Sequence, residues 1–281
     1  MKPEFPPDLD AQVARALKED IGSGDVTAAL VPADRMARAS VITREAAVLC
    51  GRPWFDATFA EISRHVRIEW RVAEGAEIKS GELLCTLQGP ARAMLTGERT
   101  ALNFLQTLSA TATAARRFVT AVAGTRCQIL DTRKTVPGLR LAQKYATRVG
   151  GARNHRLGLY DAVLIKENHI SAAGSIAAAI IAARAKTQAM VEVEVENLDE
   201  LSQTLTARPD QVLLDDFSLD DLRAAVALNR AQGSPVKLEA SGGIDLDNVR
   251  DVALTGVDFI SVGSITKHVR AVDLSMRFES K

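Results

Sequence analysis

The feature that most constrains this chain is a repeat of short apolar runs separated by helical stretches, starting at Cys127 and continuing almost to the end. The runs are CQIL (127–130), AVLI (162–165), VEVEV (191–195), QVLL (211–214), VKLEA (236–240) and FISV (259–262). Helical patterns fall between them, near 139–148, 173–186, 198–206, 219–231 and 246–254. Strands joined by crossovers of this length pair in parallel, and a parallel sheet needs helices to cover it. Six such units predict a (β/α) barrel, complete or open. No GxGxxG follows the first run, which argues against a dinucleotide-binding doubly wound sheet.

The first half has a different texture. Leu9–Glu19 reads as an opening helix with Val13, Ala16 and Leu17 on one face. From there to about Pro90 the pattern is strand-like and broken by turns, with no strand–helix alternation, as in a small α+β domain. Thr96–Ala123 then reads as one long helix, with apolar residues from Ala101 to Val122 stepping by threes and fours, Thr96 as N-cap and Gly124 as stop.

Composition excludes whole classes of function. Lys+Arg and Asp+Glu are both 35, and a generic binder of nucleic acid or of membrane surfaces is basic, so neither partner is expected. Three cysteines (Cys50, Cys85, Cys127) are odd in number and widely spaced, which fits a reducing cytoplasm better than a disulfide framework. The Pro-rich, acidic opening MKPEFPPDLD is unlike a signal peptide, and the longest apolar stretch, Ile176–Ala183, is too short to span a bilayer.

In β/α barrels the chemistry sits at the C-terminal ends of the strands. Those positions hold Asp131-Thr132-Arg133-Lys134, Lys166-Glu167-Asn168-His169, Glu194 and Glu196, Asp215-Asp216, Ser241-Gly242-Gly243 and Gly263-Ser264. Charge is sorted around this rim. Arg126–Lys166 has nine Lys/Arg against two acids, and Met190–Asp221 has ten acids against Arg208 alone. The basic side suits a ligand with several carboxylates or phosphates, the acidic side Mg²⁺ or sugar hydroxyls, and the glycine turns a terminal phosphate.

Plainer readings stand beside these. Arg140, Lys144 and Arg148 at helical spacing fit a solvated face equally well. Glu192, Glu194 and Glu196 share one side of their strand, with exposure expected for one or two of them. Asp215 and Asp216 point oppositely, and one is expected to cap the following helix. His65 and His268 read as surface or structural residues, whereas His155 lies between Arg153 and Arg156. VAEGAEIKSGELLCTLQG (72–89) has carrier-domain glycine spacing but lacks the context of a modifiable lysine at Lys79.

Longer segments carry a resemblance: EDIGSGDVTA (19–28), GERTALNFLQTLSATAT (97–113), DTRKTVPGLRLAQKYA (131–146), GGARNHRLGLYDAVLIKENHI (150–170), VEVEVENLDEL (191–201), LLDDFS (213–218), EASGGI (239–244) and GVDFISVGSITKHVRAVDLSMRF (256–278). In this order they make the chain resemble the quinolinate phosphoribosyltransferases, a type II phosphoribosyltransferase family, over nearly its full length. The resemblance implies an α/β fold: an N-terminal α/β sandwich domain (1–110, with 266–281 returning to it) followed by an open barrel of six or seven strands (111–265). It implies the reaction of quinolinate with phosphoribosyl pyrophosphate (PRPP) to nicotinate mononucleotide, pyrophosphate and CO₂, with Mg²⁺ held mainly through PRPP near Glu194 and Asp215. By the same match Arg99, Arg133, Lys134, His155, Arg156 and Lys166 bind quinolinate, and Thr132 is a further substrate-binding residue. Glu194 and Asp215 face the PRPP ribose, with Glu196 and Asp216 as close alternatives in register. Ser241, Gly242, Gly243, Gly263 and Ser264 hold the 5′-phosphate; Ser264 replaces the family's usual Ala. Lys134, Glu194 and Asp215 are the catalytic expectations. A homodimer is implied, with Arg99 serving the neighbouring site. Two other readings remain open: a paralogue of this fold found with molybdate transport systems, and a Schiff-base aldolase using Lys166 as nucleophile.

Overall fold

The computed structural model describes residues 5–233 and 236–279; the outermost residues of the expected N-terminal domain, 1–4 and 280–281, lie outside it. Along the chain it forms α1 (Leu9–Ile21), β1 (Met36–Thr43), β2 (Ala47–Val48), α2 (Arg52–Ile62), β3 (Arg67–Trp70), β4 (Glu77–Ile78), β5 (Leu83–Pro90) and α3 (Ala91–Ala121). The second half forms β6 (Gln128–Leu130), α4 (Arg140–Val149), β7 (Ala162–Ile165), α5 (Glu167–Ala173), α6 (Ile176–Lys186), β8 (Met190–Val195) and α7 (Leu198–Ala207). It continues with β9 (Gln211–Asp215), α8 (Leu219–Ala231), β10 (Lys237–Ser241), α9 (Val249–Leu254), β11 (Phe259–Ser261), α10 (Ser264–Lys267) and β12 (Leu274–Phe278).

Two compact units result: residues 1–116, 135–151 and 265–281, and residues 117–134 and 152–264. In the first, β12-β1-β5-β3 form an antiparallel sheet and β2-β4 a small ribbon. Phe55, Phe59, Leu84, Leu87, Leu102 and Leu105 fill the core between sheet and helices.

Three expectations change here. Helix α2 was not foreseen; Gly51 (φ +110°) turns the chain into it, and Trp54, Phe55, Thr58 and Phe59 bury one helical face. The long helix starts at Ala91, not Thr96: Ala91 and Met94 are buried, so core packing carries the helix back to the end of β5. Thr96 sits mid-helix and donates to Asp25 Oδ2 at 2.8 Å. Third, α4, expected within the barrel domain, groups with the first unit. Its Ala142, Tyr145 and Ala146 share a core with Val13, Leu17, Trp54, Phe104 and Leu108.

The second unit is the expected parallel sheet, in the order β6-β11-β10-β9-β8-β7. Strands β6 and β7 would be neighbours in a closed barrel but lie at opposite edges, so the barrel is open. A single parallel bridge from Leu130 to Arg153 adds to the β6 edge. The helix starts are chemically marked: Ser175, Asn197 and Ser218 accept the backbone N–H of Ala178, Glu200 and Asp221. Ser218 therefore caps α8, and neither Asp215 nor Asp216 does.

Gly150 is fixed by space. A Cβ there would lie 2.4 Å from the Ala112 carbonyl oxygen and 2.6 Å from Ala115 Cβ on α3. Gly150→Ala should destabilise the protein by about 1–3 kcal/mol, the usual cost of overpacking, seen as a lower thermal midpoint; an unchanged midpoint would show that α3 can yield.

Candidate active site

Side chains alternate along a strand, and residues opposite each other in a parallel pair point the same way. One face of the second unit's sheet carries Val163, Ile165, Val191, Val193, Val195, Val212, Leu214, Leu238, Ala240 and Ile260, mostly buried, as helix-covered positions must be. The register gives the other face a different chemistry: Glu192 and Glu194 on β8, Gln211 and Asp215 on β9, Glu239 and Ser241 on β10, Ser261 on β11. Polar side chains inside a barrel need partners or a ligand.

Glu194 and Asp215 share this polar face near the strand ends. Glu196 lies beyond the end of β8, exposed, and its N–H donates to Glu200 Oε2. Asp216, of opposite parity, is exposed at φ +53° and lines a separate surface cavity with Glu196. Lys166, N-terminal to α5, donates to both Glu194 oxygens at 2.6 and 2.9 Å. Two groups expected on different substrates are therefore paired with each other.

The basic side is built on the β6 end and the segment after Gly151. Asp131 is buried and accepts from Asn154 Nδ2 (2.7 Å) and the His155 N–H (2.9 Å), tying that segment to β6. Next to it come Arg133 and Arg156. Burial, then the Arg133 guanidinium, pull Arg156 below its ordinary value, opposed by Glu192, Asp161 and Glu194. Arg133 Nε is buried without a hydrogen-bond partner. A buried unsatisfied donor costs about 1–3 kcal/mol, and here it sits beside a second guanidinium.

The glycine turns follow β10 and β11, the latter beside β6. Gly242 and Gly243 have φ of +93° and +54°. A Cβ on Gly242 would lie 2.1 Å from Asp216 Oδ1, and the Asp216 N–H donates to the Ser241 carbonyl at 3.0 Å. A Cβ on Gly263 would lie 3.1 Å from Lys134 Cδ, so the Lys134 side chain runs across this glycine. The Lys134 N–H donates to Thr132 Oγ1, and Ser264 opens α10.

Of the expected residues, Thr132, Arg133, Lys134, His155, Arg156, Lys166, Glu194, Asp215, Ser241, Gly242, Gly243, Gly263 and Ser264 all belong to the second unit. Arg99 does not; it is exposed on α3 in the first unit. Arg140, Lys144 and Arg148 also fall in the first unit, and Lys144, at 1% exposure, is no solvated residue. Gln211, Glu239 and Ser261 were missed. The signal was a polar residue at the polar parity of an otherwise apolar strand. Among the described residues no helix is long and apolar enough to cross a membrane, and all three cysteines are free and buried.

Comparison with known proteins matches these two halves separately. Residues 25–109 match the quinolinate phosphoribosyl transferase N-terminal domain and residues 111–277 its C-terminal domain. The chain is 43% identical to a nicotinate-nucleotide pyrophosphorylase [carboxylating] of Mycobacterium leprae over 269 residues, 94% of this chain and 95% of that one. It is 38% identical to the Homo sapiens protein of the same name, covering 98% and 93%. The solved nicotinate-nucleotide pyrophosphorylase from Francisella tularensis superposes with a TM-score of 0.93 at 46% identity, covering 98% of each chain.

The crowding at Gly242 gives a test that is independent of any substrate. Gly242→Ala adds a methyl group against Asp216 at a left-handed φ, and such strain costs about 1–3 kcal/mol. Its thermal midpoint should drop well below that of Ser241→Ala, which meets no such constraint. Equal midpoints would show that the turn accepts a side chain.

Proposed function

Because the chain belongs to the quinolinate phosphoribosyltransferase family, we propose that it transfers the phosphoribosyl group of PRPP to quinolinate with loss of CO₂, forming nicotinate mononucleotide and pyrophosphate for NAD biosynthesis. The observation that carries this reading is the Arg133–Arg156 pair with its idle buried donor. Quinolinate bears two adjacent carboxylates. Guanidinium forks match carboxylates in two-point contacts, and a dianion removes the mutual repulsion of the two cations. Lys134 and Lys166 complete the cationic side, and Thr132 adds a neutral hydroxyl. Lys166 is held in place by Glu194 until substrate arrives.

PRPP lies on the other side. The Gly242-Gly243 and Gly263-Ser264 turns offer backbone N–H groups to its 5′-phosphate, with Lys134 lying across Gly263 as a cation beside it. Glu194 and Asp215, on one face of adjacent strands, point at the ribose hydroxyls. Mg²⁺ fits an all-oxygen environment of this kind; it would come with the pyrophosphate, face Asp215, and neutralise the leaving group's charge.

The chemistry then needs positioning more than reactive side chains. The quinolinate nitrogen forms a bond to C1′ as the C1′–O bond to pyrophosphate breaks, and the transition state has oxocarbenium character. Glu194 and Asp215 stabilise that positive charge. With the ring nitrogen quaternised, the adjacent carboxylate leaves as CO₂, its electron pair is accepted by the ring, and a proton replaces it. Lys134 is the cation placed to steady this step. A Schiff-base role for Lys166 finds no support in an amine bound by both oxygens of Glu194. The reading places the enzyme in the cytoplasm, supported by three free buried thiols, and in a homodimer, with the exposed Arg99 offered to the neighbouring site.

Arg133→Ala should weaken quinolinate binding by about tenfold or more, the loss of a charge-assisted contact, and Asp215→Asn should impair PRPP use instead. Steady-state kinetics of CO₂ release read both. An unchanged quinolinate KM in Arg133→Ala would remove the anchor of this reading, and a reversed pattern would exchange the two halves of the site.

The shared site has its own test. Arg99→Ala and Lys134→Ala, each inactive, are mixed in equal amounts and allowed to exchange subunits. Half of the dimers become hybrids, and each hybrid has one pocket with both defects and one with neither, by two-fold symmetry. Activity should rise to about a quarter of wild type. No recovery, with exchange verified by a mass tag, would place both residues in the same chain's pocket.

A further inference from the structure

Below the strand ends, four polar side chains that are not among the expected substrate residues are buried: Glu192, Gln211, Glu239 and Ser261. Gln211 Nε2 donates to Glu192 Oε1 at 2.8 Å and to Glu239 Oε2 at 2.6 Å. Glu192 Oε2 lies 2.8 Å from His155 Nε2, and Glu239 Oε2 is 3.6 Å from the same nitrogen. On the far side of the ring, His155 Nδ1 accepts the Arg156 N–H at 2.7 Å.

That last contact fixes the tautomer. A nitrogen that accepts an N–H carries no proton, so in the neutral ring the proton is on Nε2 and is donated to Glu192. The His155, Glu192 and Glu239 ligand atoms lie within 4.8 Å of one another, close enough to hold a metal ion. A metal on Nε2 would have to displace the only ring proton, which argues against a cation here. Glu239 has a second way to tolerate burial: desolvation, then the Glu192 carboxylate, push it well above the usual carboxylate range, which favours its neutral form.

We propose that Glu192 and Glu239 are positioning residues: bridged by Gln211, they grip the His155 ring in one orientation and through its Nδ1 fix the main chain from which Arg156 reaches the substrate. The proposal rests on reading Arg156 as a quinolinate ligand. His155 is then a neutral strut between the buried pair and Arg156, not a cation that contacts the substrate. The two glutamates have unequal duties. Glu192 needs both oxygens as acceptors, one for Gln211 and one for His155. Glu239 needs one acceptor, Oε2, for Gln211, while its Oε1 has no hydrogen-bond partner.

The side-chain isosteres separate these duties. Glu192→Gln replaces one acceptor with a donor, so either Gln211 or His155 faces a like group. Glu239→Gln keeps the acceptor that Gln211 needs. In the full-length enzyme, Glu192→Gln should raise the quinolinate KM by about tenfold, the cost of an unsatisfied buried donor, while the PRPP KM stays within about twofold. Glu239→Gln should leave both near wild type. Nitrogen-15 spectra of the histidine side chains in unmodified protein should show His155 as the neutral Nε2–H tautomer, a readout that needs no variant to fold. A cationic or Nδ1–H ring, equal losses in the two variants, or a quinolinate KM unmoved by Glu192→Gln in an active enzyme would overturn the role. So would one equivalent of tightly bound metal in the purified protein. Wild-type protein that releases no CO₂ from quinolinate and PRPP would overturn the activity and this role together, an outcome distinct from all of these.

Discussion

The structure depends on a parallel sheet that is covered by helices on one face only. The covered face must be apolar, and Val191, Val193, Val195, Val212, Leu214, Leu238 and Ile260 make it so. That set of positions buys the stability of the second unit, and strand alternation then leaves the opposite parity free for chemistry. Glu192, Glu194, Gln211, Asp215, Glu239 and Ser241 all occupy it. A one-residue slip of any strand would drive carboxylates under the helices, so the site's composition also guards the register.

Electrostatics on the polar face is arranged in depth. At the bottom, Glu192 and Glu239 share contacts with Gln211 and His155 and expose almost nothing to solvent. Above them, Lys166 and Glu194 form an ion pair that neutralises itself while the site waits. Arg133 keeps a buried Nε without a partner beside Arg156, which the Arg133 charge pulls down while Glu192, Asp161 and Glu194 oppose. The charges are thus sorted by depth and side in a chain whose total charge is zero.

Much of this was legible in the sequence. The six strand runs were readable because buried parallel strands are short and apolar, and the rim residues because they follow those runs directly. What was hidden had physical reasons. Helix α2 is absorbed into a stretch that reads as strands and turns, although a proline in the first turn initiates a helix. The true start of α3 depends on the burial of Met94, a tertiary fact. Helix α4 has the spacing of a barrel helix, and only the packing of Tyr145 and Ala146 against Trp54 and Leu108 reveals its allegiance. The lower layer of the site escaped because Gln211 and Glu239 were counted as strand residues, not as exceptions to strand composition.

Those exceptions have a cost that the fold accepts. Arg133 keeps a buried donor idle, Arg156 sits next to a like charge, Glu239 leaves Oε1 without a partner, and Asp216 holds a left-handed backbone against Gly242. None of these helps the chain fold, and several cluster where the substrates would lie. Local violations of the rules that govern the rest of a sequence mark the places where structure has been kept for function. Here the violations also have a direction. In the proposed reaction the idle donor and the crowded cations would meet a ligand with two negative groups, and the glycine turns a phosphate. A sequence relieved of them would be more stable and would have nothing left with which to hold either substrate.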